Sequence, residues 1–234
     1  GAYYSDITIL PSAHHPEKVI NNPEWKHNGV SFYHGFRYIP INKELKKYRN
    51  FNNKISEKPV ISLTTGGSDP RGVMLKLLPL FDLGNFADYT IISLVGESFT
   101  FMKELCCLVD SLPDNIFLKT FSYENLKNSD LVISTFGVTS YELIYMGVPF
   151  ISVSHAENNA RGSEILSGRY PVIQDFGLID NLNIDLFLTA IDKSLRDSHF
   201  KLNFLNETQG LMDVEGIDRI CEIIKSFKRQ HNEK

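Results

Sequence analysis

Residues 131–153 read LVISTFGVTSYELIYMGVPFISV, from Leu131 to Val153. A short β-branched run, Leu131 to Ser134, meets a turn at Gly137. An apolar-periodic stretch, Thr139 to Met146, then leads through Gly147-Val148-Pro149 to a second apolar run, Phe150 to Val153. Two apolar runs separated by a helix-length segment form a βαβ unit, because parallel strands need a crossover of about a dozen residues or more. The stretch therefore predicts an α/β fold.

The same alternation extends on both sides. Upstream, strands are expected at 60–64, 90–95 and 115–120, and downstream a weaker one at 172–174. Helices are expected near 72–80, 99–111, 123–128, 159–166 and 184–194. Gly66-Gly67, Gly96, Pro113 and Gly177 punctuate the joins. This predicts a doubly wound, Rossmann-like parallel sheet at residues 59–230, with a ligand at the carboxyl ends of its strands. After residue 197 the pattern is helical, and Ile217, Ile220, Cys221, Ile223, Ile224 and Phe227 recur at helical spacing.

The first 45 residues differ. Strands are expected at 6–10 and 38–41, separated by an aromatic, His- and Pro-rich loop that holds His14 and His15. The lysine- and asparagine-rich stretch that follows reads as a linker at 46–58. A His-His-Pro in a loop is more often a surface feature than a general base.

Composition narrows the function classes. With 234 residues and a formal charge of −4, the chain has no global basic field to attract nucleic acid, so an anion must be held by backbone dipoles or single cations. The three cysteines, Cys106, Cys107 and Cys221, lie in helical patterns without metal-ligand spacing, which suits free thiols in a reducing cytosol. No run approaches the ~18 apolar residues of a membrane span, and Gly1 to Asp6 lacks signal-peptide regions. A cytoplasmic protein is expected. No carboxylate pair marks a metal, and no cofactor is called for.

Four constellations carry chemistry. Thr64 to Pro70, TTGGSDP, joins a strand to a helix, so Gly67 and Ser68 offer backbone N–H groups to an anion. The alternative is a helix cap by Ser68 or Asp69. In Ser134 to Glu142, Gly137, Val138 and Thr139 form a second such turn, with Glu142 available to a ribose diol. Thr139 and Glu142 also have capping-box spacing, the favoured reading of those two in isolation. His155, Asn158 and Asn159 follow the strand ending at Val153 and suit a polyol, although loops are rich in Asn anyway. Phe121 and Ser122 end another strand, where an aromatic ring covers a base or joins the core.

Taken in order, these segments resemble the C-terminal half of GT-B enzymes that use UDP-sugars. The similarity is greatest to the nucleotide-sugar hydrolases of pseudaminic acid biosynthesis and their spore-coat polysaccharide relatives (PseG/SpsG type). It is more distant to the MurG-type transferase that forms lipid II. TTGGSDP at 64–70, the 131–153 stretch, Glu157-Asn158-Asn159 and MDVEGIDRI at 212–220 carry it, over roughly residues 38 to 228. The resemblance implies that Gly67 and Ser68 face a diphosphate, Phe121 and Ser122 hold uracil, Gly137, Val138 and Thr139 cradle phosphate, and Glu142 binds ribose. It also implies Asn158 as a catalytic candidate, with Asn159 and His155 near the sugar. Phe136, where relatives carry a small residue, and Arg161-Gly162 depart from the pattern.

The implied activity is UDP-sugar hydrolysis in surface-glycan or nonulosonic acid synthesis, with a glycosyltransferase or a non-catalytic donor-binding subunit as alternatives. The family's catalytic histidine lies in an N-terminal domain. Residues 1–45 resemble only the last strand of that domain, so a missing domain or partner subunit is expected.

Overall fold

The computed structural model describes residues 5–12, 24–27, 29–52, 54–84 and 86–232. His14 and His15 lie outside them. The chain divides into two compact units, Tyr48–Gln209 and Gly1–Lys47 with Gly210–Lys234.

The larger unit is built on six parallel strands: β4 (Val60–Thr64), β5 (Thr90–Val95), β6 (Ile116–Thr120), β7 (Leu131–Ser134), β8 (Phe150–Ser154) and β9 (Gln174–Leu178). Their order is β6-β5-β4-β7-β8-β9, so the chain winds outward from β4 in one direction and from β7 in the other. The adjacent pair β4 and β7, in register from Ile61 opposite Leu131 to Thr64 opposite Ser134, is the switch point. Open α/β sheets bind ligands at the carboxyl end of that point, where the loops diverge to opposite faces and leave a crevice.

Burial follows topology. β4, β7 and β8 are covered on both faces and read as apolar runs, whereas the edge strand β6 has exposed positions. Ile61, Leu63, Ile133, Ile151 and Val153 centre the core. The helices are α1 (Val73–Leu77), α2 (Leu80–Leu83), α3 (Met102–Asp110), α4 (Tyr123–Lys127), α5 (Val138–Met146), α6 (Glu157–Arg169), α7 (Ile184–Arg196) and α8 (Phe200–Thr208).

Two elements differ from the sequence reading. The single helix expected at 72–80 is two short ones, because Pro79 has no N–H to continue the ladder and stands as the N-cap of α2. The last strand starts at Gln174 instead of ending there. It contains Gly177 at φ +67°, and its pairing to β8 is irregular between Ser152 and Ser154, a bulge that an apolar-run criterion does not register.

The smaller unit holds β1 (Ile7–Leu10), β2 (Glu24–His27), β3 (Val30–His34) and the terminal helix α9 (Gly216–Asn232). β3 pairs parallel with β1 and antiparallel with β2. The strand expected at 38–41 is not formed, and Phe36–Tyr38 makes a 3-10 turn. The real strand, Val30–His34, alternates buried and half-buried positions, a period-two signal that its aromatic and histidine content disguises. A 3-10 segment, Lys43–Tyr48, has Leu45 fully buried and runs into the first three residues of the expected linker. Close packing joins this leader to α9: a Cβ at Gly216 would stand 2.3 Å from the Ile39 carbonyl oxygen.

Candidate functional site

At the carboxyl ends of β4 and β7 lies a cleft of about 430 Å³, lined by Thr65 to Pro70, Thr135 to Thr139 and His155. Three loops that follow three different strands meet there, as their order in the sheet requires.

The loop after β4 is held in an unusual shape. Gly66 has φ +83°, and Asp69 is the one non-glycine residue with positive φ among the described residues, at 44°. Asp tolerates that region because its short polar side chain bonds locally. Here Asp69 accepts from the Val73 amide on Oδ1 at 2.9 Å and from the Met74 amide on Oδ2 at 2.8 Å. The N-cap position itself is held by Gly72, not by Ser68 or Asp69, although Asp69 supplies the bonds to the first helical amides.

The loop after β5 fixes the other side of the same turn. The Ser98 hydroxyl donates to the Gly67 carbonyl at 3.0 Å, and Thr100 donates its hydroxyl and amide to the Ser68 carbonyl at 2.7 and 3.0 Å. Gly96 permits this approach, since a Cβ there would sit 3.3 Å from the Gly67 carbonyl oxygen. The carbonyls of Gly67 and Ser68 are thus engaged. No described residue accepts from their N–H groups, and both residues line the cleft.

Across the cleft, α5 begins at Val138, one residue earlier than the 139–146 helix read from sequence. Its cap is closed by Ser140, whose hydroxyl accepts from the Gly137 amide at 3.3 Å, not by the Thr139–Glu142 box favoured above. The earlier start shifts the third helical position from Thr139's partner to Ser140. Glu142 is therefore released from capping. The first N–H groups of a helix have no intrahelical partner, so Val138 and Thr139 present theirs at the cleft with the positive end of the helix dipole. Among the described residues no Lys or Arg lines the cleft, and no cluster of His, Cys, Asp and Glu is fit to hold a metal.

Phe136 is buried with its ring edge-on to Tyr141 at 5.8 Å, and it also forms part of the cleft wall. Its carbonyl accepts from Asn159 Nδ2 at 2.7 Å, which ties the first turn of α6 to the loop after β7. Asn158, on the same turn, is exposed and is not among the cleft-lining residues. His155 stands half-buried in the lining.

Phe121 and Ser122 follow the edge strand β6. The Phe121 amide donates to the Val95 carbonyl at 2.9 Å, and the Ser122 hydroxyl caps α4 by accepting from the Asn125 amide at 3.2 Å. The next residue was not singled out by sequence: Tyr123 packs edge-on against Phe121 at 5.6 Å and donates its hydroxyl to Glu142 Oε1 at 2.8 Å. The contact spans 19 residues and two elements, so no local signal announces it. Burial pushes the Glu142 carboxyl above the usual carboxylate range, and hydrogen bonds from Tyr123 and Thr139 oppose that only in part. Burial, then the bond to Glu142, raises the Tyr123 hydroxyl well above its ordinary value, so it remains a donor.

No family model matches the chain. It is 20% identical over 214 residues to the spore coat polysaccharide biosynthesis protein SpsG of Bacillus subtilis, covering 90% of this chain and 63% of SpsG. It is 26% identical over 132 residues to the uncharacterized protein MJ1062 of Methanocaldococcus jannaschii, covering 53% of this chain and 27% of that one. Among solved structures, CalG4, the calicheamicin glycosyltransferase, superposes with a TM-score of 0.62 at 13% identity, over 95% of this chain and 52% of that one. The spinosyn rhamnosyltransferase SpnG, solved with thymidine diphosphate, gives 0.56 at 14% identity, over 72% and 46%.

The chain shares its fold with about half of each of these glycosyltransferase structures. At these identities the likeness is one of architecture, a Rossmann-like parallel sheet with flanking helices. The chain spans about half the length of these solved structures and less than two thirds of either curated relative.

Proposed function

We propose that this chain is the nucleotide-sugar-binding half of a GT-B enzyme of surface-glycan or nonulosonic acid biosynthesis, with a UDP-sugar as its ligand. The observation that carries the reading is the cleft at the β4–β7 switch point, lined by the strand-to-helix loops after β4 and β7 and, among the described residues, by no Lys or Arg. A diphosphate suits it: oriented amides and a helix N-terminus hold an anion without a cation.

In this reading the amides of Gly67, Ser68, Val138 and Thr139 hold the diphosphate, and Gly137, whose own amide is taken by Ser140, gives the turn that cradles it. Phe121 and Ser122 receive the uracil, Glu142 accepts from the ribose hydroxyls, and His155 and Asn159 face the sugar. Asn158, on the exposed turn of α6, is the catalytic candidate, with a general base supplied from outside the Tyr48–Gln209 unit by a further domain or partner subunit.

The reaction is hydrolysis. Water adds through oxygen to the anomeric carbon, the bond from that carbon to the phosphate oxygen breaks, the water's proton goes to the base, and UDP leaves. The amides offset the charge that develops on the leaving oxygen. A second reading, transfer of the sugar to an acceptor hydroxyl, is favoured by the glycosyltransferase function of the proteins that share the fold. Product analysis of the full-length enzyme with and without acceptor separates the two.

Calorimetry with UDP tests the binding reading directly. Heat with a dissociation constant below ~1 mM is expected, and none at several times that concentration overturns it.

A further inference from the structure

We propose that Tyr123 is a positioning residue that makes the site select a ribonucleoside diphosphate over its 2′-deoxy counterpart. This rests on the reading above, in which Glu142 takes the ribose hydroxyls.

The geometry starts at the end of β6. Ser122 caps α4 and so fixes the backbone from which Tyr123 projects. The phenol ring is then held between two others, Phe121 edge-on at 5.6 Å and Tyr48 tilted at 5.6 Å. Its hydroxyl reaches Glu142 Oε1 at 2.8 Å. A rigid ring with a hydroxyl at its tip thus fixes the direction of a carboxylate that would otherwise swing about several bonds, and the ordering cost is met before any ligand arrives.

Acceptor capacity then sets what the carboxylate can take. An ionised carboxylate offers about four lone-pair directions. Tyr123 and Thr139 are the donors it already has, which leaves room for the two hydroxyls of a ribose. Glu142 is buried on α5, so a 2′-deoxyribose would leave one of its acceptor directions without a donor and largely without water. Sites built to bond a hydroxyl reject the analogue that lacks it for this reason. Were Glu142 free to rotate, it could turn toward the single remaining hydroxyl, and the distinction would weaken.

The test is calorimetry with UDP, 2′-deoxy-UDP and thymidine diphosphate against the wild-type chain, Tyr123→Phe and Glu142→Ala. The wild type is expected to favour UDP over 2′-deoxy-UDP by about tenfold or more. Tyr123→Phe keeps the ring and removes the hydroxyl, so the preference should fall to within about threefold of unity. Purely structural damage would weaken both nucleotides alike and leave their ratio in place. An unchanged ratio in Tyr123→Phe overturns the proposal. Should that variant melt below the assay temperature, equal wild-type affinities for UDP and 2′-deoxy-UDP overturn it instead. Failure of the wild type to bind UDP removes the nucleotide reading itself, whereas full UDP affinity in Glu142→Ala leaves that reading in place and overturns this inference alone.

Discussion

Two buried carboxylates flank β7 in chain order, and they are treated in opposite ways. Asp130, just before the strand, is 1% exposed and fully matched: Oδ1 accepts from the Lys201 ammonium at 3.0 Å and the Ser56 amide at 3.1 Å, and Oδ2 accepts from the Val60 amide at 2.9 Å. Lys201 itself is 3% exposed. Glu142, beyond the strand on α5, is 8% exposed and has hydroxyl partners instead of an ammonium. Burying a charge is costly unless it is paired, so the first carboxylate is an accomplished bond and the second an unfinished one. Under the proposed function, the difference separates a carboxylate that holds the fold from one kept for a ligand.

The largest effect should come from breaking the finished pair. Asp130→Ala leaves the Lys201 ammonium buried without its partner and removes an acceptor from two amides, and truncating one member of a buried pair typically costs about 3–5 kcal/mol. Urea unfolding of the variant should show a loss of that size, and Asp130→Ala with Lys201→Met should recover part of it. A loss below about 1 kcal/mol would mean that water or another donor replaces the pair, and the contrast with Glu142 would disappear.

Each carboxylate has a side-chain partner far from it in sequence, which bears on what a single chain discloses. The strands 60–64, 90–95 and 131–134 were legible to the residue, because buried parallel strands are apolar runs bounded by turn residues. The order of the loops placed Gly67, Ser68, Gly137, Val138, Thr139 and His155 on one cleft. Contacts between elements were not legible. Lys201 meets Asp130 across 71 residues and Tyr123 meets Glu142 across 19, and neither pair leaves a periodic trace. Single-residue offsets were lost too. A helix that starts at Val138 instead of Thr139 moves the cap to Ser140.

A smaller effect, on binding instead of folding, is expected at the unfinished carboxylate. Glu142→Ala should weaken UDP binding by about 1–3 kcal/mol, the usual range for hydrogen bonds to a charged group. Since Glu142 does not cap α5, its melting temperature should fall little, and calorimetry beside thermal melts gives both numbers. A large drop in melting temperature with unchanged affinity would place Glu142 with Asp130, as a structural group.

The smallest effect is the most direct measure of how unfinished Glu142 is. Its carboxyl is raised in the folded state, chiefly by burial, and its titration is shaped by the Tyr123 and Thr139 hydroxyls, with Tyr48 beyond Tyr123. A carboxyl raised on folding favours the native state when protonated. That contribution is complete below its unfolded value of about 4.3 and is lost as pH rises through the folded value. As pH rises through the folded value the wild type takes on the penalty of a buried, incompletely paired charge, whereas Glu142→Gln has no charge to bury. The variant should melt slightly above the wild type at pH 7, and the gap should close as pH falls toward 4. Its UDP affinity should drop at the same time, because an amide offers one oxygen where the carboxylate offers two. Stability gained together with affinity lost is the trade expected of a residue kept for its ligand. If Glu142→Gln instead melts lower at pH 7, the charge is compensated within the fold, and the two carboxylates are alike after all.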